Sequence, residues 1–287
     1  MNMSKPKSFT GEYKLDLHST WTRFTIPTVT VNKNAEFIEL SPNGIKTYST
    51  SYDRLISTSM AAVLSVRCAS HWMPLKFDCV AILEDGKKLP TFHGVGDSLA
   101  LPSRMDEPLY QKTLSTLLAL DHTSLLFLMR ASEMLNSHIE LSILNVLFAL
   151  DLELNHIVPK PRNVAAKLEF LKFAGVISPE ALKRLENLNT LRNDLAHGHW
   201  DQENLGKSLA TLLGGKPKDW LKRDTSINAE AGRRVLNNII LGLGDVLQCG
   251  KTLEQLRAHL AKLQQSQTAA NTWKPHVPQI DKKRGVP

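Results

Sequence analysis

Between residues 107 and 157 the apolar side chains keep to a helical spacing, and no other stretch limits the fold so firmly. Leu114, Leu117, Leu118, Leu125, Leu128, Met129, Met134, Leu135, Ile139, Ile143, Leu144, Leu147 and Leu150 recur mostly at steps of three and four. That spacing lines up one face of an α-helix, so the segment is predicted to form one very long helix or two stacked ones. So much apolar surface needs partners on more than one side, which a bundle core and a dimer seam would supply together. Glu133 and Glu140 interrupt the run one heptad apart, a pattern that suits solvated acids, and either is also a candidate partner for Arg192.

A second helical stretch carries the polar residues of most interest. Ser178-Pro179-Glu180 reads as a helix start, with Ser as N-cap, Pro at the first helical position and an acid in the first turn. Leu182, Leu185, Leu188, Leu191 and Leu195 then mark a buried stripe, and Arg192 falls inside it, four residues after Leu188. An unpaired guanidinium is costly to bury, so this position should face a partner surface, a cleft or an anion. His197 precedes Gly198, the expected helix cap, where the negative end of the helix favours imidazolium. The same residues also suit a plain structural role, with Arg192-Asn193-Asp194 as C-terminal charge and local side-chain bonds, and His197 as a cap ligand. From Arg192 to His197 a regular helix advances about 7.5 Å and turns by about 140°, too far for both to act on one atom. Antiparallel copies in a two-fold dimer would bring Arg192 of one chain near His197 of its partner.

The string Leu191-Arg192-Asn193-Asp194-Leu195-Ala196-His197-Gly198 resembles the motif of the HEPN superfamily, and the resemblance covers about residues 107–265. Its ribonuclease members carry an arginine, a polar residue and, after a spacer of four to six residues, a histidine. Arg192, Asn193 and His197 match, His199 fits the longer spacer, and residues 167–177 resemble the helix and turn that lead into the motif. The resemblance implies an all-α bundle, Arg192 and His197 as catalytic residues with Asn193, Asp194 and His199 in support, and RNA as substrate. It also implies a homodimer and products ending in a 2′,3′-cyclic phosphate and a 5′-hydroxyl. Many such enzymes are toxins or abortive-infection effectors in antiphage defence, held in check by an antitoxin or another regulatory partner. Toxins paired with a nucleotidyltransferase antitoxin often have a tyrosine two positions after the motif histidine; His199 stands there and departs from that pattern. The rival reading is a non-catalytic HEPN-like module that only dimerises or binds a nucleotide or protein.

The residue types fit that chemistry. RNA is cut without a metal when its own 2′-hydroxyl attacks the neighbouring phosphorus, a step that needs a proton acceptor, a proton donor for the leaving 5′-oxygen and a cation on the phosphorane. His197 exchanges protons near neutral pH, and the planar fork of Arg192 can bridge phosphate oxygens. No cluster of carboxylates and histidines has metal-ligand spacing, so neither a metal nor a cofactor is expected.

Residues 1–106 read differently, as a mostly β domain. Residues 24–31 are rich in Thr, Val and Ile; 37–40 and 45–50 flank the turn signal Ser41-Pro42-Asn43-Gly44; and Asp85-Gly86 joins 77–84 to 87–92 as a second hairpin. Residues 55–69 fit either a helix or a buried strand. His71-Trp72 and Thr91-Phe92-His93-Gly94 are candidate ligand contacts or half-buried packing, and the domain is read as a sensor or a substrate-positioning unit. Composition and periodicity change together near residue 106, which predicts an α+β chain with separable domains and a proteolytic nick between about 95 and 112.

Beyond the two central stretches, Asn163 and Gly175 bracket a short helix, 205–213 suggests another, and 226–248 with 252–264 form a last helical region with a possible bend at Gly250. Residues 266–287 are basic and polar and are expected to be disordered. The formal charge of +7 and pI of 9.3 favour a polyanionic partner, and Lys216, Lys218, Lys222, Arg223, Arg233, Arg234 and Lys282-Lys283-Arg284 carry much of the excess. Charges interrupt every apolar run before the roughly 20 residues of a membrane span, and residues 1–16 show no secretion signal, so a cytoplasmic protein is expected. Cys68, Cys79 and Cys249 lack zinc or disulfide spacing and read as packing residues.

Overall fold

The computed structural model describes residues 8–15, 29–33, 36–41, 44–70, 72, 77–89, 107–135, 137–160, 163–196, 202–222 and 226–272. Among these the chain is α+β: an antiparallel sheet near the N-terminus is followed by helices alone.

Six strands form the sheet: β1 (Phe9–Leu15), β2 (Val29–Lys33), β3 (Glu36–Ser41), β4 (Gly44–Ser49), β5 (Phe77–Glu84) and β6 (Lys87–Leu89), in the order β2-β3-β4-β1-β5-β6. Both expected hairpins are present. Asp85 and Gly86 have φ of +48° and +81°, the left-handed pair that a tight two-residue turn demands, and the Ser8 N–H donates to Asp85 Oδ1 at 2.8 Å. β1 lies in the middle of the sheet, although its Thr-Gly-Glu-Tyr-Lys interior gave no strand signal in the sequence. Period-two alternation sets the faces. Ile38, Leu40, Ile45 and Thr47 are buried, while Lys46 points away and pairs with Glu12 across the β1–β4 register at 3.3 Å.

The ambiguous segment after β4 is a helix, α1 (Tyr52–Ala69). Leu55, Thr58, Ser59 and most of 61–69 are buried, because the sheet packs on one side of α1 and helices pack on the other. A helix covered all round loses the polar stripe that would reveal its period, which explains the ambiguity. Thr47 Oγ1 and Ser59 Oγ, 2.7 Å apart, hydrogen-bond sheet to helix.

The apolar run of 107–157 folds as three helices, not one or two: α2 (Glu107–Leu117), α3 (His122–Met134) and α4 (Ile139–Ile157). Asp121 caps α3 by accepting the Thr123 N–H at 2.7 Å, and α3 and α4 fold back on each other. The pairing is antiparallel: Ser142 Oγ donates to the Ala131 carbonyl at 2.7 Å, and the buried Glu153 accepts from the Asp121 N–H and Ser124 Oγ at 3.1 and 2.6 Å. Breaking the run gives its apolar residues several directions in which to be covered, the need its length implied.

Four further helices complete the bundle: α5 (Val164–Phe173), α6 (Pro179–Ala196), α7 (Gln202–Leu213) and α8 (Ala229–Thr272). Asn163 caps α5 by accepting the Ala166 N–H at 2.7 Å, and Ser178 Oγ accepts the Ala181 N–H at 3.2 Å, as their placement predicted. At 44 residues α8 is about 66 Å long, runs unbroken through Gly250 and continues into the segment expected to be a tail. Its first half packs on α2, α4, α6 and α7. Gly232 allows the closest approach, since a Cβ there would lie 2.7 Å from Ile139 Cγ2. Beyond Leu253 the helix is exposed as far as Gln264.

One buried cluster joins sheet, α1 and bundle, with Ile38, Leu40, Leu64, Tyr110, Leu128, Leu150, Leu188 and Ile239 all members. The compositional boundary near residue 106 is therefore not a gap in the core. Of the candidate ligand contacts, Trp72 is buried and its Nε1 donates to Asn237 Oδ1 on α8 at 2.5 Å; His71 and 91–94 lie outside the described residues. Cys68 and Cys249 are buried and not joined in a disulfide, in keeping with packing residues. No helix among the described residues is long and apolar enough to cross a membrane.

Candidate functional site

α6 buries Ala181, Leu185, Leu188, Leu191 and Leu195, with Leu182 partly covered, so the predicted stripe is the packed face. Arg192 emerges at its edge with 29% of its side chain exposed and meets a carboxylate: its Nη2 lies 2.5 Å from Asp151 Oδ2 on α4. Glu133 and Glu140, the acids placed to meet a cation, take other partners. Glu140 accepts the Ile227 N–H at 2.8 Å, and Glu133 acts electrostatically on Arg67. Asp151 sits three turns further along α4 than Glu140, and α4 packs against α6.

Arg192 lines one wall of a cleft of about 190 Å³. Asp151 and Asn155 come from α4, Asn189 and Asn193 from α6, and the lining is completed by Asn163, the cap of α5, with Val164, Ala165 and Lys167 of α5. Lys167 is 1% exposed; its Nζ donates to Asn155 Oδ1, and its charge acts on Asp151. Burial pushes the Asp151 carboxyl above its ordinary range, while Arg192 and then Lys167 oppose that shift. Arg192 Nε is buried without a hydrogen-bond partner among the described residues.

Two cations, one carboxylate and the N-terminal turn of a ten-residue helix give this cleft a net attraction for an anion. Its volume is below the roughly 300–1,000 Å³ of a small-molecule pocket, so it admits a group such as phosphate and not a whole ligand. Asn193 is exposed at its edge. Asp194 turns instead to α7, where Ser208 Oγ donates to its Oδ2, so it braces α6 and does not face the cleft. His197 and His199 lie outside the described residues; α6 ends at Ala196, one residue before His197.

Sequence reasoning found Arg192 and missed the residues around it. Asp151 registered only as an interruption of an apolar run, yet Asp151 and Asn155 stand four apart on one helix face, which was the available signal. Lys167 gave none, because its burial depends on α4 and α6, which are distant in sequence.

Compared with protein-family models, with characterised proteins and with solved structures, the chain gave no match.

Proposed function

We propose that this chain is a metal-independent endoribonuclease of HEPN type, acting in the cytoplasm as a homodimeric toxin or phage-defence effector. The observation that carries the reading is the cleft at Arg192: a guanidinium oriented by Asp151, with a buried ammonium and the N-terminus of α5 beside it, five residues before His197 on a helix that ends at Ala196. In this mechanism Arg192, and Lys167 behind it, hold the phosphate oxygens as charge builds on the phosphorane. His197 of one chain moves protons at the 2′- and 5′-oxygens. Asp151 fixes the guanidinium plane, and Asn193 contacts the RNA at the rim.

RNA labelled at its 5′ end and incubated with the protein in EDTA tests the reaction directly. Fragments ending in a 2′,3′-cyclic phosphate are expected. Cleavage that needs added magnesium, or fragments ending in a 3′-hydroxyl, would contradict it.

The dimer seam is assigned to the outer face of α3 and α4. Leu126, Leu141 and Phe148 are exposed there, Phe127 and Phe148 are tilted against each other with centroids 6.2 Å apart, and Phe148 stands three residues before Asp151. A two-fold contact on this face sets the clefts of two chains beside each other. Phe148→Glu is expected to give a monomer by light scattering at micromolar concentration, with an unfolding midpoint within a few degrees of wild type and cleavage lost. A dimer that persists in this variant moves the seam elsewhere.

The Arg192–Asp151 pair also favours the rival reading, a non-catalytic module in which Arg192 ties α6 to α4. The two readings part on whether replacing Arg192 affects cleavage or folding alone.

A further inference from the structure

A second and larger cavity, of about 530 Å³, lies where α1 and α2 meet α6 and α8. It opens to solvent beside the exposed Lys112, and its volume falls within the range of small-molecule pockets. It shares no lining residue with the Arg192 cleft.

Its lining is divided. Leu109, Ile240 and Leu241 supply an apolar wall, while Lys112, Arg184 and Asp245 stand together as the charged part. Arg184 Nη1 donates to Asp245 Oδ2, which occupies that carboxylate. Lys112 makes no ion pair among the described residues, so the cavity keeps one formal positive charge in excess. Burial raises the Asp245 carboxyl above its ordinary range despite Arg184, the sign of a poorly hydrated polar end. No aromatic ring among the described residues lines the space, so nothing there stacks on a nucleobase. The volume is kept open partly by Gly244, where an added Cβ would meet only the Thr116 side chain, at an ordinary 3.5 Å from Oγ1 and 3.9 Å from Cγ2.

We propose that this cavity binds a small amphiphilic anion, its aliphatic body against Leu109, Ile240 and Leu241 and its carboxylate or phosphate head at Lys112 and Arg184. An aliphatic chain matches the non-aromatic wall, and a single anionic head balances the excess charge. The occupant would touch both the α1–α2 side and the α6–α8 side of the core. Arg184 also stands eight residues before Arg192 on α6, about 12 Å along its axis. The site is proposed independently of RNA cleavage, and its readout is binding.

Isothermal titration calorimetry of the full chain with octanoate, octyl phosphate, octanol and octylamine tests it. One octanoate or octyl phosphate per chain is expected to bind, with octanol and octylamine weaker by roughly tenfold or more. The tighter of the two anions tells carboxylate from phosphate. Gly244→Leu puts a leucine into the space at a helix position that gains propensity, so it should keep the wild-type unfolding midpoint and lose binding. Lys112→Met, at an exposed position, should weaken octanoate by roughly tenfold and leave octanol unchanged. The proposal is overturned if octanol binds as tightly as octanoate, or if folded Gly244→Leu binds as wild type does. Should Gly244→Leu not fold, undiminished octanoate affinity in Lys112→Met overturns it alone.

Discussion

Arg192→Ala should reduce RNA cleavage by about 10²–10³-fold or more, the usual consequence of removing a charged group aimed at a developing oxyanion. His197→Ala should do the same by removing the proton-transfer group. The proposed sites are composite, so mixing the two inactive variants is informative: a heterodimer holds one site with both residues and one with neither. Partial activity should return in the mixture, up to about a quarter of the wild-type level if subunits exchange freely and each site works alone. Failure of the mixture to regain activity, once subunit exchange has been demonstrated, would sink the composite site; full activity in either single variant would sink the chemistry.

The ion pair changes what the stability control must show. Arg192→Ala leaves Asp151 half-buried beside Lys167, so a loss of about 1–3 kcal/mol is expected for the abandoned partner. A second change, Asp151→Asn, removes the stranded charge, and the double variant should recover much of that loss while staying inactive. Recovery of stability without activity separates the orienting role of Asp151 from the phosphate-binding role of Arg192. If cleavage instead tracks the unfolding midpoint from wild type through Arg192→Ala to the double variant, Arg192 is a brace and not the phosphate-binding group.

Local signals carried far in this chain, and their failures share one physical origin. The α5 and α6 starts were legible because a cap is a contact within four residues, visible in Asn163 and Ser178. The Asp85-Gly86 turn was legible because a left-handed pair admits few residue types. α1 stayed ambiguous because its second covering layer comes from α2 and α3, beyond the reach of any window of sequence. β1 was missed because its place at the centre of the sheet is set by β4 and β5, not by its own mixed composition. Three helices replaced one or two in 107–157 because two short breaks, one before His122 and one between Met134 and Ile139, divide the run, and the first is marked in the sequence by little more than the capping residue Asp121. At the site, one side chain was visible and its surroundings were not. Arg192 is out of keeping with its own helix, whereas Asp151, Asn155 and Lys167 become a site only when α4, α5 and α6 meet.

Removing residues 1–106 should abolish cooperative folding of the helical remainder, although the composition changes at that boundary. The main neighbour of α2 is α1, and α2 buries Tyr110, Leu114 and Thr113 almost completely, with Thr113 Oγ1 donating to Cys68 Sγ of α1 at 3.6 Å. Leu117 is equally buried. Exposing Tyr110, Leu114 and Leu117 at about 1.5–3 kcal/mol each gives about 5–9 kcal/mol, on the scale of the whole stability of a domain. Further losses come from the Arg67–Ser132 and Trp72–Asn237 hydrogen bonds, both of which cross the boundary. A chain cut between 95 and 106, in contrast, keeps every one of these contacts. Its two fragments should co-elute on gel filtration under native conditions and separate only in denaturant, with a single urea transition below that of the intact chain. The decisive comparison is with residues 107–287 expressed alone: a sharp urea transition at the wild-type midpoint there would show that the bundle carries its own core and that α1 merely rests on it.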